Sequence, residues 1–146
     1  RGSVSKKTVI LGMNNPHSED PSQCLLPDVP GSSGYRLWQM SGMAREAYLT
    51  SFERRNVLNR LRWTMDEASA TAETLRGELS GRTVVVLGTE VWNVVVRTQS
   101  LPCSFLLMPG TLTTYWFVPH PSGLNHWYNE KRNRRAVGRL LRRLAA

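Results

Sequence analysis

Apolar residues occur in short runs separated by polar stretches rich in glycine and proline. Thr8-Val9-Ile10-Leu11 followed by Gly12 predicts a short buried strand ending in a turn. From Met13 to Gly34 the chain is rich in Pro, Ser, Asp and Asn and reads as a long loop; loops of that length usually serve function. Tyr35 to Leu49 places apolar residues at helical spacing, weakened in the middle by Ser41-Gly42. Asn56-Val57-Leu58-Asn59 suits a short strand or a turn. Asp66 to Leu79 predicts a surface helix whose first turn is acidic, where the helix dipole favours carboxylates. Thr83-Val84-Val85-Val86-Leu87-Gly88 is the clearest strand, apolar throughout and therefore covered on both faces. Glu90 to Arg97 reads as a helix. Phe105-Leu106-Leu107-Met108 and Tyr115-Trp116-Phe117-Val118 read as strands around the turn at Pro109-Gly110. Asn129 to Leu144 is a basic amphipathic helix. Alternating strands and helices predict a three-layer α/β/α sandwich around a short, mainly parallel sheet, with one domain over residues 4–146.

Length and charge narrow the function classes. The chain's 146 residues suffice for one core. Lysine and arginine number 19 against 11 acidic residues, a formal charge of +8; that excess favours a polyanionic partner, with nucleic acid first. Cys24 and Cys103 are too few for a four-cysteine metal or iron–sulphur site. Nothing in their spacing argues for a disulfide, so a reducing cytoplasm is the expected setting. No apolar run approaches the ~20 residues that span a bilayer, and no secretory signal is visible. The expectation is a monomer with no membrane partner, no metal and no cofactor. Arg1-Gly2-Ser3 is set aside as a trimmed end.

Sites in open α/β sheets form beyond the carboxyl ends of the strands. Two strands here end in loops of unusual chemistry: Gly12-Met13-Asn14-Asn15-Pro16-His17, and Val118-Pro119-His120-Pro121-Ser122-Gly123-Leu124-Asn125. If the sheet is parallel at both, the loops converge on one cleft holding amides, two histidines and a rigid proline turn. Taken singly, Asn14 and Asn15 also suit Asx turns, and His120 an exposed turn between prolines. Two such loops, each after a strand of one sheet, argue for a site.

His120-Pro121-Ser122-Gly123-Leu124-Asn125 resembles the second signature of the uracil-DNA glycosylase superfamily, and Gly12-Met13-Asn14 resembles its first. The GMN opening is similar to that of the single-strand-selective members. Arg36-Leu37-Trp38 resembles the RFW segment of the mismatch-specific members, and Leu87-Gly88 before a helix also fits. The resemblance spans residues 8–145. It implies an enzyme that flips a base out of DNA and hydrolyses its N-glycosidic bond, leaving an abasic site. Ser122, Gly123 and Asn125 would hold phosphates through short side chains and backbone amides. Leu124 would fill the vacated space as an apolar wedge. By the same resemblance, His120 donates to the departing pyrimidine's O2, where negative charge develops. Asn14 orients the attacking water, since an amide is no general base. Asn56, in a segment similar to a TNVVK motif, would read the base edge, with Met13 and Tyr35 beside it. Arg135 and Arg139, on the polar face of the basic helix, would contact phosphates. DNA, double- or single-stranded, is the expected partner, in a nucleoid-associated bacterial or phage protein.

The departures from the family pattern matter. Asn15 stands between Asn14 and Pro16, so the catalytic amide is either Asn14 or Asn15. Leu25 to Ser33 contains no aromatic residue to stack on a base; either Tyr35 or Trp38 supplies a ring, or the pocket is wide. A wide pocket suits a modified pyrimidine, such as the glucosylated hydroxymethylcytosine of phage DNA attacked by a defence enzyme. The rival classes are a DNA-binding relative without activity, and an unrelated α/β enzyme using His17 or His120 as acid or base.

Overall fold

A computed structural model describes residues 6–145. Its element order is β1 (Thr8–Gly12), α1 (Ser33–Ser41), α2 (Arg45–Ser51), β2 (Phe52–Asn56), α3 (Met65–Glu78), β3 (Thr83–Leu87), α4 (Thr89–Val95), β4 (Phe105–Met108), β5 (Thr113–Val118) and α5 (Lys131–Ala145). Short 3-10 turns at Pro21–Gln23 and His126–Asn129 interrupt the first and last long connections. The five strands form one sheet in the order β2-β1-β3-β5-β4. All neighbours are parallel except β4, which runs antiparallel to β5. Residues 4, 5 and 146 of the expected domain lie outside the described residues.

The sheet is covered on both faces, as its apolar strands require. Alternate side chains of one strand serve opposite cores. Val9, Leu11, Val84, Val86, Tyr115 and Phe117 pack with α3 and α4. Ile10, Val85, Leu87 and Val118 pack with α1, α2 and α5. This is the three-layer α/β/α sandwich. Among the described residues no helix is long and apolar enough to cross a membrane.

Two features differ from the sequence reading. The single helix expected over Tyr35 to Leu49 is two helices, α1 and α2. Gly42 ends α1 in the left-handed conformation, φ 68°, which stops the first helix and turns the chain into the second. The strand β2, Phe-Glu-Arg-Arg-Asn, is polar and starts four residues before the expected short strand or turn. It lies at the sheet edge, where its charges find partners: Glu53 meets Arg82, Arg55 meets Glu78, and Arg54 donates to the Cys24 carbonyl.

The helix positions follow from local chemistry. Ser32 caps α1 by accepting from the Tyr35 amide. Thr64 and Glu67 form a capping box at the start of α3. Gly138 lets α5 approach α1, because a Cβ there would collide with the Met40 carbonyl. Arg142 donates to the Ser41 carbonyl at 2.9 Å and ties the two helices further along. α5 starts beside the loop that follows β5 and runs back toward the amino ends of the strands, where Thr8 donates to the Leu144 carbonyl.

Candidate functional site

β1, β3 and β5 are parallel neighbours, so the loops after β1 and β5 emerge on the same edge. Only β3 separates them, and two strand spacings amount to about 10 Å. The topology therefore places both loops on the same edge of the sheet.

The loop after β1 is zipped to the segment after β2. The Val57 and Leu58 amides donate to the Gly12 and Met13 carbonyls, each at 2.9 Å. Gly12 lies opposite Asn56 in the sheet register. A Cβ on Gly12 would lie 2.7 Å from the Asn56 Oδ1, so the glycine makes room for that amide. Asn56 is buried, and no side-chain hydrogen bond of it occurs among the described residues. A groove of about 310 Å³ opens beside it, lined also by Pro21, Val57, Asn59 and Thr71. Asn14 and His120 do not line that groove.

The two asparagines of the first loop do different work. Asn14 donates through Nδ2 to the Arg60 carbonyl at 2.9 Å and the Leu61 carbonyl at 3.1 Å. Carbonyls only accept, so the amide nitrogen must face them, and Oδ1 turns the other way. No donor to that oxygen occurs among the described residues. Asn15 uses both ends inside its loop: Nδ2 donates to the Gln23 carbonyl and Oδ1 accepts from the His17 amide. Asn15 is thus the brace and Asn14 the amide with a spare acceptor. Met13 is half-buried and packs on the α3–α4 core.

The loop after β5 is tied to itself. The Asn125 amide donates to the His120 carbonyl at 3.0 Å and accepts from the Trp127 amide at 3.1 Å. Ser122 Oγ accepts from the Leu124 amide at 3.1 Å, and Tyr128 donates its hydroxyl to the Pro119 carbonyl. Gly123 and Leu124 form the tip, and Leu124 is 89% exposed. His120 is exposed on one side, while its other side packs on Gly88 at the start of α4. Desolvation there lowers its pKa below the ordinary 6.5, against an opposing pull from the Glu90 carboxylate. That shift favours the neutral imidazole, which keeps one N–H to donate.

The remaining expected residues lie further out. Tyr35 sits on α1, edge to face with Trp38 at 5.7 Å. Trp38 is held by its Nε1–H, which donates to the Met43 carbonyl at 2.8 Å. Arg135 and Arg139 are exposed on the outer face of α5, while Val137, Leu140 and Leu141 are buried beneath. Arg143 leaves the polar face and lies over the Trp116 ring at 5.1 Å. Because α5 runs away from the site, Arg135 is nearer to the second loop than Arg139. His17 is exposed in the first loop. Both cysteines are free thiols, Cys24 buried and pushed up to about 12 by that burial. Among the described residues no cluster of His, Cys, Asp and Glu could hold a metal ion.

Sequence reasoning missed Leu25 and Arg36 as site residues. Leu25 is a non-glycine residue at φ 51°, and its Cδ1 would lie 3.7 Å from a Cβ on Gly12. Arg36 reaches the tip of the second loop, with a terminal nitrogen 3.8 Å from where a Gly123 Cβ would sit. A positive-φ leucine leaves no mark in sequence; an arginine at helical spacing looks like any surface charge. Comparison with protein-family models and with curated proteins finds no match.

Proposed function

We propose that this chain is a monofunctional DNA glycosylase that hydrolyses the N-glycosidic bond of a flipped-out uracil or modified pyrimidine. The observation that carries this reading is Leu124. A loop braced by its own hydrogen bonds holds an 89% exposed leucine away from the protein. Exposing that side chain forgoes roughly 1.5–3 kcal/mol of burial and brings no contact inside the domain. A wedge that enters a base stack gives the exposure a use.

The surrounding groups supply the other tasks. The bond from C1′ to the base nitrogen breaks with its electron pair leaving on the pyrimidine. His120, neutral and rigidly backed by Gly88, donates a hydrogen bond to the O2 where that charge collects. Asn14 accepts from the water that bonds to C1′, and the water's surplus proton passes to solvent. Positioning is all an amide can contribute here. Asn56, with its side-chain groups unspent, reads the base edge; a carboxamide pairs with uracil or, flipped, with cytosine. Ser122 and the tip amides meet the phosphates, and the net charge of +8 draws the polyanion in.

The test is incubation with oligonucleotides bearing uracil, hydroxymethyluracil, hypoxanthine and modified cytosines, followed by alkali cleavage of abasic sites. Strand breakage at one or more pyrimidines, strongly reduced in His120→Ala, is the expected result. DNA binding without breakage across the panel would leave a binding protein that lacks the chemistry.

A further inference from the structure

A second groove, of about 440 Å³, lies between α1 and the segment that leads into α5. Arg36, Gln39, Met40, Tyr128, Asn129 and Arg134 line it. Two of the six are arginines and none is a carboxylate. Glu130, the nearest acid in sequence, is engaged by Arg132 at 2.8 Å.

Arg36 is the unusual member. It is half-buried, its Nε is fully enclosed, and that nitrogen has no hydrogen-bond partner. No ion pair or hydrogen bond of its guanidinium occurs among the described residues. A guanidinium carries five N–H donors, and enclosing the one on Nε without a partner is costly. Arg134 has the opposite arrangement. Its Nη1 donates to the Tyr128 carbonyl at 2.6 Å and the Asn129 carbonyl at 3.1 Å, which fixes one edge of the fork. One arginine is thus preorganised and the other has an unsatisfied donor, both lining one groove beside the loop that carries Leu124.

We infer that this groove is an oxyanion site for one DNA phosphodiester, flanking the nucleotide whose stack Leu124 enters. Two guanidinium forks approaching from different helices suit the several acceptor oxygens of a tetrahedral phosphate. A terminal nitrogen of Arg36 stands 3.8 Å from where a Gly123 Cβ would sit, so the guanidinium lies directly beside the loop tip. This inference rests on the reading of Leu124 given above.

The experiment measures oligonucleotide binding at a series of salt concentrations for the wild type, Arg36→Gln, Arg36→Lys and Lys7→Gln. Lys7 is exposed at the amino end of β1, the far edge of the sheet, and serves as control. Arg36→Gln should reduce the log–log salt slope by about 0.9 on duplex or about 0.7 on single strands. Arg36→Lys should keep the slope, and Lys7→Gln should match the wild type. A second measurement needs no variant to fold. Methylphosphonate substitution along the strand should reveal one position near the target base whose neutralisation costs the wild type that same slope. An unchanged slope in Arg36→Gln, or no sensitive phosphate in the scan, overturns the site. If the wild type binds no DNA, the glycosylase reading fails, and the groove is judged by small probes. Saturable shifts of the Gln39 and Asn129 side-chain amides by inorganic phosphate or thymidylyl-thymidine would retain it as an anion site. No shift with either probe would remove it.

Discussion

Gly88 and His120 are in direct contact: a Cβ on Gly88 would lie 3.1 Å from the His120 Cβ and 3.5 Å from its Cδ2. Gly88 also has φ 92° and ψ 162°, a conformation essentially reserved for glycine. Its amide donates to the Val118 carbonyl at 2.8 Å, so the end of β3 and the end of β5 are locked together beneath the histidine. One residue thereby ends a strand, opens α4 and sets where the imidazole stands.

Gly88→Ala should therefore damage stability and activity together. The backbone strain costs about 1–3 kcal/mol, and the new methyl group pushes His120 from its position. Thermal unfolding and base-release rate on the same preparation check this. A variant as active as the wild type would mean that the imidazole position does not govern the reaction.

His120→Ala should lower base release by ~10²–10³-fold with DNA affinity nearly unchanged, because the donor acts mainly in the transition state. The pH dependence follows from the lowered pKa. A depressed histidine gains its proton at lower pH than a free imidazole. Its NMR titration midpoint should accordingly lie under 6.5, and the rate should fall only as pH drops through that midpoint. The linked stability has the same sign: present above the unfolded histidine's pKa, and lost as pH falls toward the folded one. A midpoint above 6.5 would make His120 a cation at work and replace the neutral donor in the mechanism.

Much of this site was legible in the sequence because it depends on strand direction. Apolar strands with loops rich in Asn, His and Pro predict a parallel sheet with both loops on one edge, and the topology agrees. The basic face of α5 likewise follows from helical spacing alone. Other features depend on tertiary partners and leave no local pattern. β2 is polar because its arginines answer acids on β2, α3 and a carbonyl of the first loop, not because it is a loop. Asn14 and Asn15 are chemically identical in sequence. The carbonyls of Arg60, Leu61 and Gln23 and the His17 amide tell them apart.

That difference predicts a ranking. Asn14→Ala should remove most activity, by about 10²-fold for a misplaced water, and should also lower the melting temperature, because its hydrogen bonds to the Arg60 and Leu61 carbonyls are lost. Asn15→Ala should act mainly on stability, since two hydrogen bonds at roughly 0.5–1.5 kcal/mol each disappear from the loop. Activity lost with Asn15→Ala and kept with Asn14→Ala would assign the water to the other amide.

Charge reversal at Arg135 and Arg139 should separate near from far on α5. Both are exposed and form no ion pair among the described residues. Arg135 lies about one turn from the helix start and Arg139 about two, some 6 Å further from the loop. Removing one arginine–phosphate pairing should lower the salt slope by nearly one unit, with the larger drop at Arg135. Wild-type slopes in both variants would leave that face in plain solvent.

The last prediction concerns the width of the base pocket. Leu25 stands where the first loop passes Gly12, in a left-handed conformation that costs a leucine about 1–3 kcal/mol. Its carbonyl is held by the Tyr48 hydroxyl at 3.2 Å, and Gly34 packs so closely on Leu25 and Leu26 that no Cβ would fit. The strain is thus imposed from two sides, and it brings an aliphatic side chain to 3.7 Å from the point above Gly12 that the Asn56 Oδ1 approaches to 2.7 Å. The aromatic alternatives are committed elsewhere: Trp38 donates to Met43, and Tyr35 leans on Trp38. An aliphatic wall gives up part of the ~1–3 kcal/mol that aromatic stacking brings to a bare base. It leaves more room for a substituent at the 5-position. Excision of 5-substituted pyrimidines over uracil, in one sequence context, should give a ratio of one or more. Leu25→Phe should lower that ratio by restoring a ring and narrowing the space. A wild-type ratio far below one across the panel, unchanged in Leu25→Phe, would show that Leu25 does not border the base and that the enzyme selects plain uracil by other means.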